Sequence, residues 1–181
     1  MTAAIDTIAE LGFARASFAQ IARRAGLSST GLISYHFAGK DDLIRQAVTE
    51  VYAEMGRFLA QRMEGASSAA DALSAYIRAN AEFVAAHRSQ MKAMLEIFMN
   101  GGISYDADTE LVALSPVEQI LRRGQQAGEF RGFDTRVMAA VIQRAVDGLP
   151  FLLQTHPDID PAAYASEVIA LFSLATRSSS Q

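Results

Sequence analysis

Apolar residues recur at three- and four-residue intervals along almost the whole chain, and no stretch alternates convincingly as a half-buried strand would. The pattern predicts helices over about 3–11, 17–25, 28–37, 41–63, 69–87, 89–100, 110–127, 134–155 and 161–176. Between them stand residues that end helices: Gly12, Gly26, Ala38-Gly39, Glu64-Gly65, Asn100-Gly101-Gly102, Gly128, Gly132 and His156-Pro157. Ser17 followed by Gln20 has capping-box spacing, Ser28 or Ser29 can cap the third helix, and Asp41 and Asp42 suit the positive end of the fourth. Pro150, inside the pattern of 134–155, is expected to kink that helix. The fold class expected is all-α, with an N-terminal three-helix domain over residues 1–40 and a larger helical body over 41–181.

The apolar positions also say which faces are covered. Ile5, Ile8, Ala9, Phe13, Phe18, Ile21, Ala22, Ala25, Leu27, Ile33 and Phe37 can form one small core under the first three helices. Helices 134–155 and 161–176 are apolar over more than one face: Val137, Met138, Val141, Ile142, Ala145, Val146, Leu149, Phe151, Leu152 and Leu153 cover much of the circumference of the first, and Tyr164, Val168, Ile169, Leu171, Phe172 and Leu174 do the same on the second. Either they are central in a monomer, or a second copy of the chain covers them in a four-helix arrangement, which makes a homodimer the expectation.

Charge adds to this picture through its distribution. The 181-residue chain has a net charge of −4, yet between Ala14 and Lys40 there is no Asp or Glu, while Arg15, Arg23, Arg24 and Lys40 all lie there. A short helix, a glycine turn and a second short helix in an acid-free window suit DNA phosphates. Small outward groups on the second of them, Thr30 and Ser34, suit close approach to base edges. Tyr35, His36 and Lys40 at its far end suit phosphates, as does the amide end at Ser17.

The absence of Cys excludes disulfides, thiolate metal sites and cysteine nucleophiles, and accords with a cytoplasmic location. The first residues have no signal-peptide pattern, and no run of 18 uncharged apolar residues suggests a membrane span. His36, His87 and His156 stand far apart with no partner at metal-ligand spacing, and there is no phosphate-binding glycine loop, G-x-S-x-G or H-E-x-x-H. No catalytic residue, metal or cofactor is therefore expected.

In the N-terminal part, Ala9-Glu10-Leu11-Gly12-Phe13, Ala16-Ser17-Phe18, Ile21-Ala22-Arg23-Arg24-Ala25-Gly26-Leu27-Ser28, Gly31-Leu32-Ile33-Ser34-Tyr35-His36-Phe37, Gly39-Lys40 and Leu43 stand in an order that resembles the DNA-binding domain of TetR-family transcriptional regulators. The resemblance implies a helix-turn-helix in which Ser17 and Lys40 touch phosphates, Thr30, Leu32 and Ser34 face base edges, Tyr35 and His36 flank them, Ser29 belongs to the same DNA-binding set, and Ile33 and Phe37 are core. It also implies a double-stranded operator of roughly palindromic sequence, a small-molecule effector, dimerisation through the last two helices, and most simply a repressor. The chain departs from the family pattern in three ways. Leu27 to Phe37 is one residue longer than the common spacing, the recognition helix has no Lys or Arg, and no basic segment stands before helix one.

Bulky apolar residues concentrate in the middle helices, where Tyr52, Met55, Phe58, Tyr76, Phe83, His87, Met91, Met94 and Phe98 are the candidate effector-binding residues. Such a Met- and Phe-rich set fits an irregular apolar cavity or plain core. Asn80 and Glu82 join His87 as polar anchors. The alternative function is a helical ligand-binding or interaction protein of the same fold that has lost DNA binding.

Overall fold

The computed structural model describes residues 1–104 and 106–178. Among them are nine α-helices: α1 (Thr2–Leu11), α2 (Phe18–Arg24), α3 (Gly31–His36), α4 (Lys40–Met63), α5 (Ala69–Ala86), α6 (Arg88–Met99), α7 (Ala107–Gln126), α8 (Thr135–Thr155) and α9 (Pro161–Thr176). The described residues contain no strand beyond an isolated antiparallel bridge between Phe130 and Arg177.

The chain forms two compact units that are discontinuous in sequence. Unit 1 is Met1–Gly56 with His87–Ser104, and unit 2 is Arg57–Ala86 with Tyr105–Gln181. This division does not follow the expected one into residues 1–40 and 41–181: α4 continues from the first unit into the second, and α6 belongs with the first three helices.

In unit 1, α1 is buried on two sides and separates two small cores where the pattern suggested one. Ile5, Ile8 and Ala9 pack with Ala16, with Ile44, Ala47, Val48 and Val51 of α4, and with Ala93, Met94 and Ile97 of α6. On the other side Ala4 meets Ile21, Ala22, Ile33 and Leu43, with Phe18, Leu27 and Phe37 around them. Ala25, expected in this core, is exposed. At about 1.5–3 kcal/mol per buried large aliphatic side chain, α6 is a main support of the N-terminal helices.

In unit 2, α5 packs against α7, α8 and α9. Phe83, Ile120, Leu121, Ile142 and Leu149 are among its fully buried side chains. Each of the last three helices starts on an aspartate: Asp106 accepts from the Thr109 amide at 2.9 Å, Asp134 from Arg136 and Val137, and Asp160 from Ala162 and Ala163. The backbone N–H of Arg131 donates to Thr176 O at 2.9 Å and its Nε to Ala175 O at 2.7 Å, fixing the end of α9. Helix α8 runs on through Pro150 to Thr155, and α7 likewise contains Pro116. By length and composition α8 is also apolar enough to cross a membrane, although it holds no run of 18 uncharged apolar residues. It nevertheless carries Gln143, Arg144 and Asp147 at mid-length and packs on α5, α7 and α9.

Candidate nucleic-acid interface

Two short helices and their turn make up the candidate surface. Ser17 has the extended backbone of an N-cap, and its Oγ accepts from the Gln20 N–H at 3.3 Å. The reciprocal half of the capping box is not formed, because Gln20 Oε1 accepts from Arg23 instead. Gly26 takes a φ of +70°, which ends α2 at little steric cost. Helix α3 begins at Gly31, later than the Ser28 or Ser29 cap expected: Thr30 is its N-cap without a side-chain bond, while Ser29 Oγ accepts from the Gly31 N–H at 3.3 Å.

On α3 the sides are unambiguous. Ile33 is buried, and Phe37 just beyond the helix is half-buried. At 100° per residue, Tyr35 lies nearly opposite Ile33, and it is 83% exposed. Leu32 lies one turn before it and is 54% exposed. Ser29, Ser34 and His36 are exposed as well, and Thr30 partly so. Tyr35 and His36 meet edge to face with ring centroids 5.1 Å apart. The six expected residues from Ser29 to His36 thus share one short outward segment, with Tyr35 as its most prominent group.

The cations of the acid-free window are all engaged within the protein. Arg24 forms an ion pair with Glu10, which folding brings back from α1. Arg23 donates to Gln20, and Arg15 Nε donates to Leu11 O at 2.7 Å. Lys40, expected at a phosphate, donates from Nζ to Phe13 O at 2.6 Å and lies 4.3 Å from the centroid of the Phe13 ring. Partial burial pushes its ammonium pKa down against the opposing pull of Asp41. Lys40 is therefore placed as a tie between the turn after α1 and the start of α4. The Phe13 N–H donates in turn to Glu96 Oε2 of α6 at 3.2 Å, so this peptide is held at both ends. Neither Glu10 opposite Arg24 nor Glu96 under Phe13 is legible in sequence, since both contacts are non-local. Asp42 does occupy the first turn of α4; its carboxylate accepts from the Ala38 N–H, and this bond, with help from Gln46, holds its pKa below the usual value.

The nine candidate effector residues divide between the units. Tyr52, Met55, His87, Met91, Met94 and Phe98 belong to unit 1, where Met94 is buried and Met91 and Phe98 pack on the same core as Ile5 and Ile8. Tyr52 is exposed, and His87 Nε2 lies 3.5 Å from Glu54 Oε1. Phe58, Tyr76 and Phe83 belong to unit 2; the Phe58 and Phe83 rings meet edge to face at 5.5 Å. Of the polar anchors, Glu82 accepts from Arg62 at 2.8 Å at the surface, and Asn80 is buried. Gln143 and Asp147, which sequence reasoning missed, stand with Tyr76 in a hydrogen-bonded chain. Among the described residues no group of three His, Asp or Glu side chains is placed to hold a metal.

Known proteins share this arrangement. Residues 1–47 match the model for bacterial regulatory proteins of the tetR family. The HTH-type transcriptional regulator BetI 1 of Chromohalobacter salexigens is 35% identical over 94 residues, covering 51% of this chain and 46% of the relative. BetI of Cronobacter sakazakii is 27% identical over 164 residues, covering 84% and 81% respectively. The matched stretch thus spans less than half of the first relative and about four-fifths of the second. A crystal structure of the transcriptional regulator FadR from Bacillus subtilis in complex with stearoyl-CoA superposes with a TM-score of 0.79 at 22% identity, over 95% of both chains, which shows a common fold. Residues 1–47 thus carry the helix-turn-helix of the tetR family of bacterial regulatory proteins, and the chain as a whole shares the all-helical fold of that FadR structure.

Proposed function

We propose that the chain is a dimeric, ligand-responsive repressor that binds a roughly palindromic DNA operator through α3 and is released from it by a small, largely apolar molecule. The observation that carries this reading is the outward face of α3. A short helix anchored by Ile33 exposes Leu32, Ser34, Tyr35 and His36 together, with no carboxylate among them. Ser17, Ser29 and Thr30 complete the contact set, with the small polar groups facing bases and Tyr35 and His36 towards phosphates. Lys40 acts by holding Phe13, and through it the α1–α2 turn, in place.

The homodimer is supported by Val137, Val141, Phe151, Leu171 and Leu174, all large, apolar and at least half exposed on α8 and α9. A second copy of the same surface would cover them and supply the second recognition helix that a palindrome requires. The effector is assigned to the body that includes unit 2. A structural neighbour of the same fold carries stearoyl-CoA, and Phe58, Tyr76 and Phe83 place bulky aromatic groups in that unit. For release, the effector must bind the DNA-free arrangement more tightly than the DNA-bound one.

A second reading, a helical ligand-binding protein without DNA binding, is favoured by the internal engagement of Arg24 and Lys40, which leaves a weakly positive surface. Selection from a random duplex library followed by anisotropy titration separates the two. Enrichment of an inverted repeat, with Tyr35→Ala weakening binding at least tenfold and leaving helicity unchanged, supports the repressor. Failure to enrich any sequence supports the second reading.

A further inference from the structure

Asn80 is 1% exposed on α5, and its side chain is only half satisfied. Nδ2 donates to the Tyr76 carbonyl at 2.8 Å, which fixes which end of the amide is which, and Oδ1 has no hydrogen-bond partner. A buried carbonyl left alone is costly, and in native proteins such an atom generally meets a water or a ligand.

The groups around it are polarised in one direction. The Tyr76 hydroxyl donates to Gln143 Oε1 at 2.7 Å, and Gln143 Nε2 donates to Asp147 Oδ1 at 2.8 Å. Each donor in this relay points away from Tyr76 and towards the carboxylate. Burial pushes the Tyr76 phenol up to about 12, the charge of Asp147 adds to the effect, and the Asn80 and Gln143 side chains pull the other way, so both amides stand against the phenol. The Asp147 carboxyl is itself raised by burial, opposed by Gln143 and by Arg144, whose Nη1 is 3.4 Å from Oδ2. The cluster is thus rich in acceptors and ends on an acid. A hydrogen-bond donor is welcome there, and an anion meets both an unpaired carbonyl and a carboxylate.

We propose that Asn80, with Tyr76, Gln143 and Asp147, forms the polar end of the effector site and selects molecules that present an N–H or O–H group on an apolar body, against those that present a carboxylate or only an ether. The proposal rests on the reading of this body as effector-binding and adds the chemistry the effector must carry.

Four six-carbon probes test it: hexan-1-ol, hexylammonium, 1-methoxyhexane and hexanoate, each titrated into the ¹⁵N-labelled full chain. The Asn80 side-chain amide signal is identified by its loss in Asn80→Leu. The alcohol and the ammonium should bind at least tenfold more tightly than the ether and the carboxylate and should shift that signal. In Asn80→Leu the alcohol-to-ether preference should fall to within twofold. Asn80→Leu removes the unsatisfied carbonyl, so the variant should fold. Should it not, Asn80→Asp keeps size and acceptor and should raise ammonium affinity at least tenfold while abolishing binding of hexanoate. Equal binding of alcohol and ether to the native chain, or a preference that survives the substitution, overturns the donor selectivity and leaves effector binding standing. No binding of any probe by the folded chain overturns effector binding at this body, and the selectivity with it.

Discussion

Gly102→Ala probes the junction that supports the candidate DNA surface. Gly102 follows α6, its N–H donating to Ile97 O at 2.8 Å. A Cβ built there would lie 2.7 and 2.8 Å from Phe13 Cε2 and Cζ and 2.9 Å from Ile97 Cγ2. Ordinary carbon contacts are about 3.5–4.0 Å, so the overlap is close to an ångström on two sides. Ile97 is fully buried, and a shift of the half-buried Phe13 ring disturbs its contact with the Lys40 ammonium. Overpacking of this kind costs about 1–3 kcal/mol. Reduced freedom of the unfolded chain returns about 0.4–1 kcal/mol, which leaves a net loss of about 1–2 kcal/mol. At about 2–4 °C per kcal/mol for a chain of this size, melting followed by circular dichroism should fall by about 2–8 °C. Gly56→Ala is the control. It lies inside α4 with nothing within 4 Å of the added carbon, and it should gain up to about 1 kcal/mol of helix propensity. Combining Gly102→Ala with Phe13→Leu should destabilise by less than the sum of the two, because the smaller side chain relieves the clash. A Gly102→Ala melt equal to or above the native one, or strict additivity in the double variant, would refute the packing argument.

Other outcomes follow from the same geometry. Burial pushes the Tyr76 phenol up from its ordinary 10.0 to about 12. Its contribution of about 2–3 kcal/mol is therefore complete below pH 10 and lost as pH rises from 10 to 12; melts across that range should steepen in the native chain and flatten in Tyr76→Phe. Val141→Asp with Leu171→Glu should reduce the mass measured by light scattering from twice the 19.5 kDa chain to a single chain, without loss of helicity. An unchanged mass would remove the α8–α9 dimer. Lys40→Met, which loses the bond to Phe13 O, should weaken DNA binding together with thermal stability, whereas Tyr35→Ala should weaken DNA binding alone.

The helices were legible because their signals are local. Ser17 does cap α2, Gly26 does end it, and the apolar periodicity places α4 to α9 within about three residues of their observed ends. Contacts between distant segments were not. Nothing in the spacing of Met91, Met94 and Phe98 says that they pack on Ile5 and Ile8 rather than beside Phe83, since amphipathicity reports that a face is buried and not what buries it. The acid-free window misleads for the same reason: residues 14–40 carry four positive charges and no acid, but Glu10, four residues outside, lies against Arg24. The start of α3 was misplaced because Ser28, Ser29 and Thr30 are all competent caps, and the helix begins only after the last of them. Asn80 could be named from its polarity, but its unpaired oxygen and the relay from Tyr76 through Gln143 to Asp147 depend on the pairing of α5 with α8.

The most direct test of the account is the salt dependence of the native chain on the inverted repeat selected from a random library, measured by anisotropy beside Tyr35→Ala. The account predicts two chains per duplex, an affinity that falls linearly on a log–log plot with a slope of several units, and a Tyr35→Ala chain at least tenfold weaker at every salt concentration. One chain per duplex, an affinity indifferent to salt, or an unaffected Tyr35→Ala variant would contradict it.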